Sequence, residues 1–245
     1  MIVELSEIVK EANTVGLFGL EQISKGHSPK LLCGPDSTNP HLFAWSLIAY
    51  TDYLIEATKY FNGQIIVDLG AGKSVDGYIL SKICGAKAYI AVEHAHIQEI
   101  FSRLNDPKKI FGDAELNDKI KKKMKSIRTT STYDKKLVRR IICAMENHLS
   151  STTGGNINQI PITLCGEDML TSIRRFPSRS VSVLACGIDR DIINIDNYAT
   201  LVEEEIARVL TNKGAYLGMC SRFKPKNLRR DDLASDNYFD KYTIN

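Results

Sequence analysis

The stretch Gln64–Ser74, Q-I-I-V-D-L-G-A-G-K-S, constrains the fold of this chain more than any other. Gln64 to Val67 is apolar and β-branched and reads as a short buried strand. It ends on an acidic side chain, Asp68, and opens at once into a tight loop carrying Gly70 and Gly72. The residues that follow place Val75, Ile79 and Ile83 at i, i+4, i+8, the spacing of a helix. Strand, glycine turn and helix make up the first half of a nucleotide-binding βαβ unit. Glycines let the backbone approach a ligand closely, and a helix N-terminus offers unpaired N–H groups.

Three ligand chemistries compete for such a loop. Gly72-Lys73-Ser74 looks like the end of a phosphate-binding P-loop, but that motif needs a glycine where Val67 stands, and the loop is short for wrapping phosphates. The dinucleotide fingerprint G-x-G-x-x-G fits Gly70 and Gly72 but meets Val75 where its third glycine belongs. The third is S-adenosyl-L-methionine. An acidic residue at the end of a strand followed by G-x-G resembles the first motif of the class I S-adenosylmethionine-dependent methyltransferases.

At 245 residues, with 43% hydrophobic and 25% charged residues, the composition is that of an ordinary globular chain. The first ten residues, M-I-V-E-L-S-E-I-V-K, carry acids within their apolar stretch and lack the pattern of a secretory signal. No run approaches the roughly 18 apolar residues of a membrane span. Six cysteines (33, 84, 143, 165, 186 and 220) lie far apart without a C-x-x-C pair, so reduced thiols in a cytoplasmic protein are expected, with no metal site. The charge is uneven. Lys119 to Arg140 holds ten basic residues and one acid, a net of +9 that leaves the rest of a +3 chain at −6. Arg222 to Arg230 forms a second basic cluster.

Taken in order, residues 2–12 read as a short helix, 16–39 as loop and 41–61 as a long helix. The aromatics of that helix (Trp45, Tyr50, Tyr53, Tyr60) belong to its core, or cover a bound sulfonium by cation–π contact. Ala88 to Glu93, A-Y-I-A-V-E, is a second buried strand closing on an acid. Glu93 lies 23 residues after Gly70, about the spacing at which a carboxylate meets a ribose in Rossmann-like folds. A helix through Ile97, Ile100, Phe101 and Leu104 follows. The next strand, Ile160 to Leu164, arrives about fifty residues late. The delay is filled by two helical patterns, Ile120-Met124-Ile127 and Leu137-Ile141-Met145-Leu149. Residues 106–158 therefore read as a basic helical insertion in one domain of 1–245, and residues 1–62 as an N-terminal helical extension.

The second half carries the more specific likeness. F-P-S-R-S-V-S-V-L-A-C-G resembles the approach to the fourth strand of the class I methyltransferases, and E-I-A-R-V-L-T-N-K-G-A-Y-L their following helix, turn and fifth strand. The resemblance covers residues 64–105 and 160–220 in the family's order. It implies an α/β, doubly wound, mostly parallel Rossmann-like sheet and S-adenosyl-L-methionine as cofactor. Position by position, it implies that Asp68, Gly70, Ala71 and Gly72 form the first cofactor loop, and that Glu93, with His94 beside it, meets the ribose. It further places Glu167 and Asp168 beside the adenine, and Cys186 and Gly187 along the pocket. If the acceptor must lose a proton, Asp189 is the first candidate base, ahead of Asp191, His94 and His96; a helix cap or solvated turn is the other reading of Asp189.

Departures from the family matter too. Ser180 and Ser182 stand where an acid is common, and no N-P-P-Y-type acceptor motif is present. Only 25 residues follow the fifth strand, enough for one more strand within 237–244. A reduced sheet edge is therefore expected, open to cover by a partner chain in a homodimer. The expected activity is methyl transfer to a small-molecule or RNA acceptor. Lys119–Arg140 and Arg222–Arg230 are candidate polyanion contacts. A methyltransferase-fold protein that binds partners without catalysis is the alternative.

Overall fold

The structure, a computed structural model, describes residues 51–72, 76–93, 114–129, 134–151, 160–186, 188, 197–219, 221, 223–231 and 239–244. The helix expected over 2–12, the loop over 16–39, residues 41–50 of the long helix and the helix through 97–104 lie outside these residues. The elements run α1 (Thr51–Phe61), β1 (Ile65–Leu69), α2 (Asp76–Ile83), β2 (Ala88–Val92), α3 (Ala114–Thr129) and α4 (Lys135–Ser151). They continue as β3 (Ile162–Cys165), α5 (Met169–Arg174), β4 (Ser182–Cys186), α6 (Tyr198–Val209), β5 (Tyr216–Met219), β6 (Arg229–Asp231) and β7 (Phe239–Thr243).

The strands form one seven-stranded sheet in the order β3-β2-β1-β4-β5-β7-β6. The first five pair in parallel, and β7 runs antiparallel to both β5 and β6. The order reverses between β1 and β4, because the chain builds outward from β1 to β3 and then returns to the other side. This is the doubly wound, Rossmann-like α/β architecture the sequence implied.

Side chains alternate across the sheet with a period of two, and each side has its own core. Ile66, Tyr89, Ala91, Leu164, Leu184 and Leu217 face α1, α2, α3 and α4. Ile65, Val67, Leu69, Ile90, Val183 and Tyr216 face α5 and α6. Ile120, Met124 and Ile127 of α3 and Ile141 and Met145 of α4 are buried in the first core, where α4 packs against α1 and α2. On the other side, Val202, Ile206 and Val209 of α6 are buried at i, i+4, i+7. Arg208 then ties α6 to the end of α5, donating to the carbonyls of Phe176 at 2.8 Å and Ile173 at 3.2 Å. Among the described residues, Cys84 and Cys165 are buried free thiols, while Cys143 is exposed. Burial pushes both buried thiols up to about 12. No described helix is long and apolar enough to cross a membrane.

The expectation of a reduced sheet edge is corrected. The strand anticipated within 237–244 is β7, but the sequence did not show β6, which pairs Arg229 with Thr243 and Asp231 with Lys241. Its three residues, R-R-D, carry no apolar alternation to read. The edge is short and charged, two features that discourage pairing with another chain. The chain completes its own sheet.

Lys241 fastens this hairpin to α1. Its ammonium lies 2.8 Å from Glu56, 3.1 Å from Asp231 and 5.1 Å from the centroid of the Tyr60 ring. The cation over Tyr60 is thus a lysine of this chain. Burial raises the Glu56 carboxyl, but hydrogen bonds from Lys241 and Lys59 outweigh it and hold the group below its ordinary value of 4.5. A depressed carboxyl stabilises the fold above its unfolded pKa, and that contribution disappears as pH falls through the folded value. Lys241→Met should therefore cost about 2–4 kcal/mol at neutral pH, because it leaves Glu56 without its main partner. Urea unfolding at pH 7 and pH 3.5 checks this. The variant should lose less on acidification than the parent, and equal losses would contradict the role given to the pair.

Candidate functional site

The first loop is shaped by two left-handed glycines, Gly70 at φ +67° and Gly72 at φ +68°. Strand β1 continues through Leu69, one residue beyond the acid expected at its end. The amides of Gly70 and Ala71 then both donate to the carbonyl of Val92, at 2.9 and 3.1 Å. The amide of Gly72 donates to Glu93 Oε2 at 2.9 Å. The amide of Glu93 in turn donates to the Cys165 carbonyl at 3.0 Å, which carries the ladder to the tip of β3. A Cβ built on Gly72 meets nothing within 4 Å among the described residues, so glycine there is needed for φ. A Cβ on Gly70 would touch Ile188 at 3.4 Å and the Met169 sulfur at 3.7 Å. Segments following β1, β3 and β4 thus meet at Gly70.

Asp68 takes a different position from the one expected. It is 4% exposed and lies on the α2 side of the sheet, where its Oδ2 accepts a 2.6 Å hydrogen bond from the Tyr89 hydroxyl. A Cβ on Gly77 would collide with that oxygen and stand 2.7 Å from the Tyr89 hydroxyl. The carboxylate therefore sits under the first turn of α2, where the helix dipole favours negative charge. It supports the loop from below.

The acids after β3 are also engaged. Glu167, 1% exposed, accepts from Arg175 at 2.6 Å. Asp168 is the N-cap of α5: its Oδ1 accepts from the Thr171 amide at 3.0 Å and the Tyr198 hydroxyl at 3.1 Å. Burial raises the Asp168 carboxyl, but the hydrogen bonds from Thr171, Tyr198 and Leu170 outweigh it and keep the group below its ordinary value. Burial, reinforced by the Asp168 charge, pushes the Tyr198 hydroxyl well above its own. Tyr198 also accepts from the Leu170 amide at 3.2 Å, so one phenol joins the starts of α5 and α6.

Of the residues read from the sequence, Gly72 bonds directly to Glu93, and Gly70 and Ala71 bond to the carbonyl of Val92, the residue before Glu93. Asp168 adjoins Met169, which reaches Gly70. Cys186 ends β4, half-buried, two residues before Ile188. Asp68 and Glu167 are turned into the interior. Lys73, His94, His96, Gly187, Asp189 and Asp191 lie outside the described residues. Ser182, which replaces an acid common in the resembled family, is buried with its hydroxyl 3.4 Å from the Tyr60 carbonyl. Sequence reading missed Met169, Ile188, Tyr89 and Gly77. Tyr89 shares a strand face with Ala91, the register partner of Asp68, a pairing that only the strand register reveals. Among the described residues no group of three His, Cys, Asp or Glu could hold a metal ion.

The glycine loop, Glu93, Met169 and Ile188 border the point where the strand order reverses, beyond the carboxyl ends of parallel strands. That is where open α/β sheets bind ligands. Fold and strand order together define the class: a Rossmann-like α/β protein whose strand tips are the candidate ligand site. No protein-family model matches the chain, and no curated protein matches it. Solved structures of similar fold include the rRNA methyltransferase aviRa from Streptomyces viridochromogenes, at TM-score 0.44 and 10% identity, over 89% of this chain and 90% of that one. A mutant form of MtNAS follows at TM-score 0.35 and 11% identity, over 76% of this chain and 54% of that chain. PKMT2 from Rickettsia typhi in complex with AdoHcy aligns at 0.34 and 12%, over 72% of this chain and 25% of that one. These are likenesses of outline; the architecture itself rests on the strand order and register.

Gly77→Ala should destabilise the protein by about 1–3 kcal/mol, the usual cost of an added methyl in a filled interior. The urea midpoint measures it. An unchanged midpoint would mean that the Asp68 carboxylate does not occupy the space under α2.

Proposed function

We propose that this protein is an S-adenosyl-L-methionine-dependent methyltransferase. The observation that supports this most is the half-buried Glu93 carboxylate at the tip of β2, bonded to the amide of a left-handed Gly72 whose outer side is open among the described residues.

The donors and acceptors present suit that cofactor. Glu93 stands where a carboxylate accepts hydrogen bonds from ribose hydroxyls. The Gly70–Gly72 backbone, without described side chains above Gly72, admits the methionine portion. Met169 and Ile188 offer an apolar surface against an adenine ring, and Asp168, fixed as a helix cap and held ionised, stands at that end to accept from its amine. Cys186 and Gly187 would continue the wall from β4. Asp68 and Glu167 act indirectly: the first braces the glycine loop under α2, and the second holds Arg175.

The cofactor supplies a methyl group already activated on a sulfonium. The protein's own task is then placement, holding the acceptor in line at near-attack distance and excluding water. A base is needed only for an acceptor that must lose a proton, and Asp189 is the residue assigned to it.

Titration calorimetry with S-adenosyl-L-methionine tests the reading. The intact protein should bind, and Glu93→Ala should bind about 10–100-fold more weakly, the loss expected for a hydrogen bond to a charged group. The thermal midpoint of the ligand-free variant should stay close to that of the parent. No binding by the intact protein would overturn the proposal and favour a fold-retaining interaction protein.

A further inference from the structure

The insertion has a face that methyl transfer does not explain. Helices α3 and α4 both turn their apolar sides to the core shared with α1 and α2. Their opposite sides therefore face solvent, and these carry the basic run. Lys122 and Lys125 of α3 and Lys135 and Arg139 of α4 are exposed, and among the described residues none of the four has a carboxylate partner. The remaining cations show what pairing looks like in this chain. Arg128 reaches Glu146 at 2.5 Å, and Arg140 donates to the Thr58 carbonyl at 2.9 Å. In the second basic cluster, Arg229 pairs with Asp231 at 2.9 Å and Arg230 with Asp240 at 2.8 Å. Those two arginines are paired within β6 and β7, while Lys224 and Lys226 of the same cluster are exposed and lie outside α3 and α4.

We infer that the outward face of α3 and α4 is an RNA-binding surface that holds the methyl acceptor; the word acceptor rests on the methyltransferase reading, the RNA contact does not. Unpaired lysine and arginine on rigid helices supply the sequence-independent attraction to phosphates. A membrane surface is a poorer occupant. An interfacial helix needs an apolar side to bury in lipid, and here Ile120, Met124, Ile127, Ile141 and Met145 are already in the core. A protein partner fits less well too, because lysine is depleted from the cores of protein interfaces, where aromatic residues concentrate. The exposed positions of α3 and α4 present mostly lysine, arginine and small polar side chains, with Asp118 and Glu146 paired to Lys121 and Arg128 and no aromatic among those described.

Filter retention of a structured RNA, without cofactor and across a salt series, tests the surface. Log affinity should fall linearly with log salt. The triple variant Lys122→Gln/Lys125→Gln/Arg139→Gln should flatten that slope by about 2, at about 0.7 per lost phosphate contact. Its circular dichroism should match the parent. Lys224→Gln/Lys226→Gln, in the second cluster, should leave the slope unchanged. Absent or salt-insensitive retention, an unaffected triple variant, equally tight binding of duplex DNA or of anionic vesicles, or full displacement by polyglutamate at matched charge would each overturn the inference. Because cofactor is omitted, RNA retention can succeed while S-adenosyl-L-methionine binding fails. In that case the methyltransferase reading falls and the surface stands.

Discussion

Two backbone amides, those of Gly70 and Ala71, converge on the single carbonyl of Val92, and much of the rest is built around that hook. It binds the exit of β1 to the tip of β2, so the chain turns sharply without leaving the sheet. The turn needs positive φ at Gly70 and Gly72, which costs a residue with a Cβ about 1–2 kcal/mol. Once made, it directs the Gly72 amide at Glu93 and leaves the outer side of Gly72 open among the described residues. It also brings Gly70 against Met169 and Ile188, which arrive from the far sides of β3 and β4. The candidate site at the reversal of strand order is a consequence of that geometry.

Acids gather at the strand tips, yet they do different work. Asp68 is buried under a helix start and fixed by Tyr89. Glu167 is buried with Arg175, and Asp168 caps α5 while Tyr198 links it to α6. Among these described acids, Glu93 alone combines partial exposure with a direct bond to the glycine loop. A buried carboxylate persists only where hydrogen bonds or a countercharge offset its desolvation, so each of the inward-facing acids fixes a neighbouring element in place. The frame around the candidate site is held by the same kind of group that the site itself presents.

The extra segments are integrated through their apolar sides. Ile120, Met124, Ile127, Ile141 and Met145 extend the core beyond α1 and α2, and Arg140 reaches across to the α1 carbonyl of Thr58. At the opposite edge Lys241 joins β7 to Glu56 of α1 and Asp231 of β6. Helix α1 is thus gripped from two directions, by the insertion and by the last strands. The concentration of positive charge on α3 and α4 follows from that arrangement, since the apolar sides are used in packing and only the basic sides remain outward.

Much of this was legible in the sequence. Short β-branched runs alternating with helical spacings gave the parallel strands, the two glycines gave the turn, and the apolar positions of α3 and α4 gave two helices. Those features are local: burial of one face imposes a period of two or 3.6 on neighbouring residues. Partner choice is not local. Tyr89 lies 21 residues from Asp68, and Tyr198 lies 30 from Asp168, so no periodicity could report that these acids were already occupied. The same holds for β6, whose three charged residues become a strand only because β7 presents unpaired backbone groups to them. The chain by itself determined the order of elements and where the strand tips and their glycine turn fall. The tertiary structure decided which carboxylates are buried and which stays partly exposed, because hydrogen-bond partners are set by register and packing between distant segments.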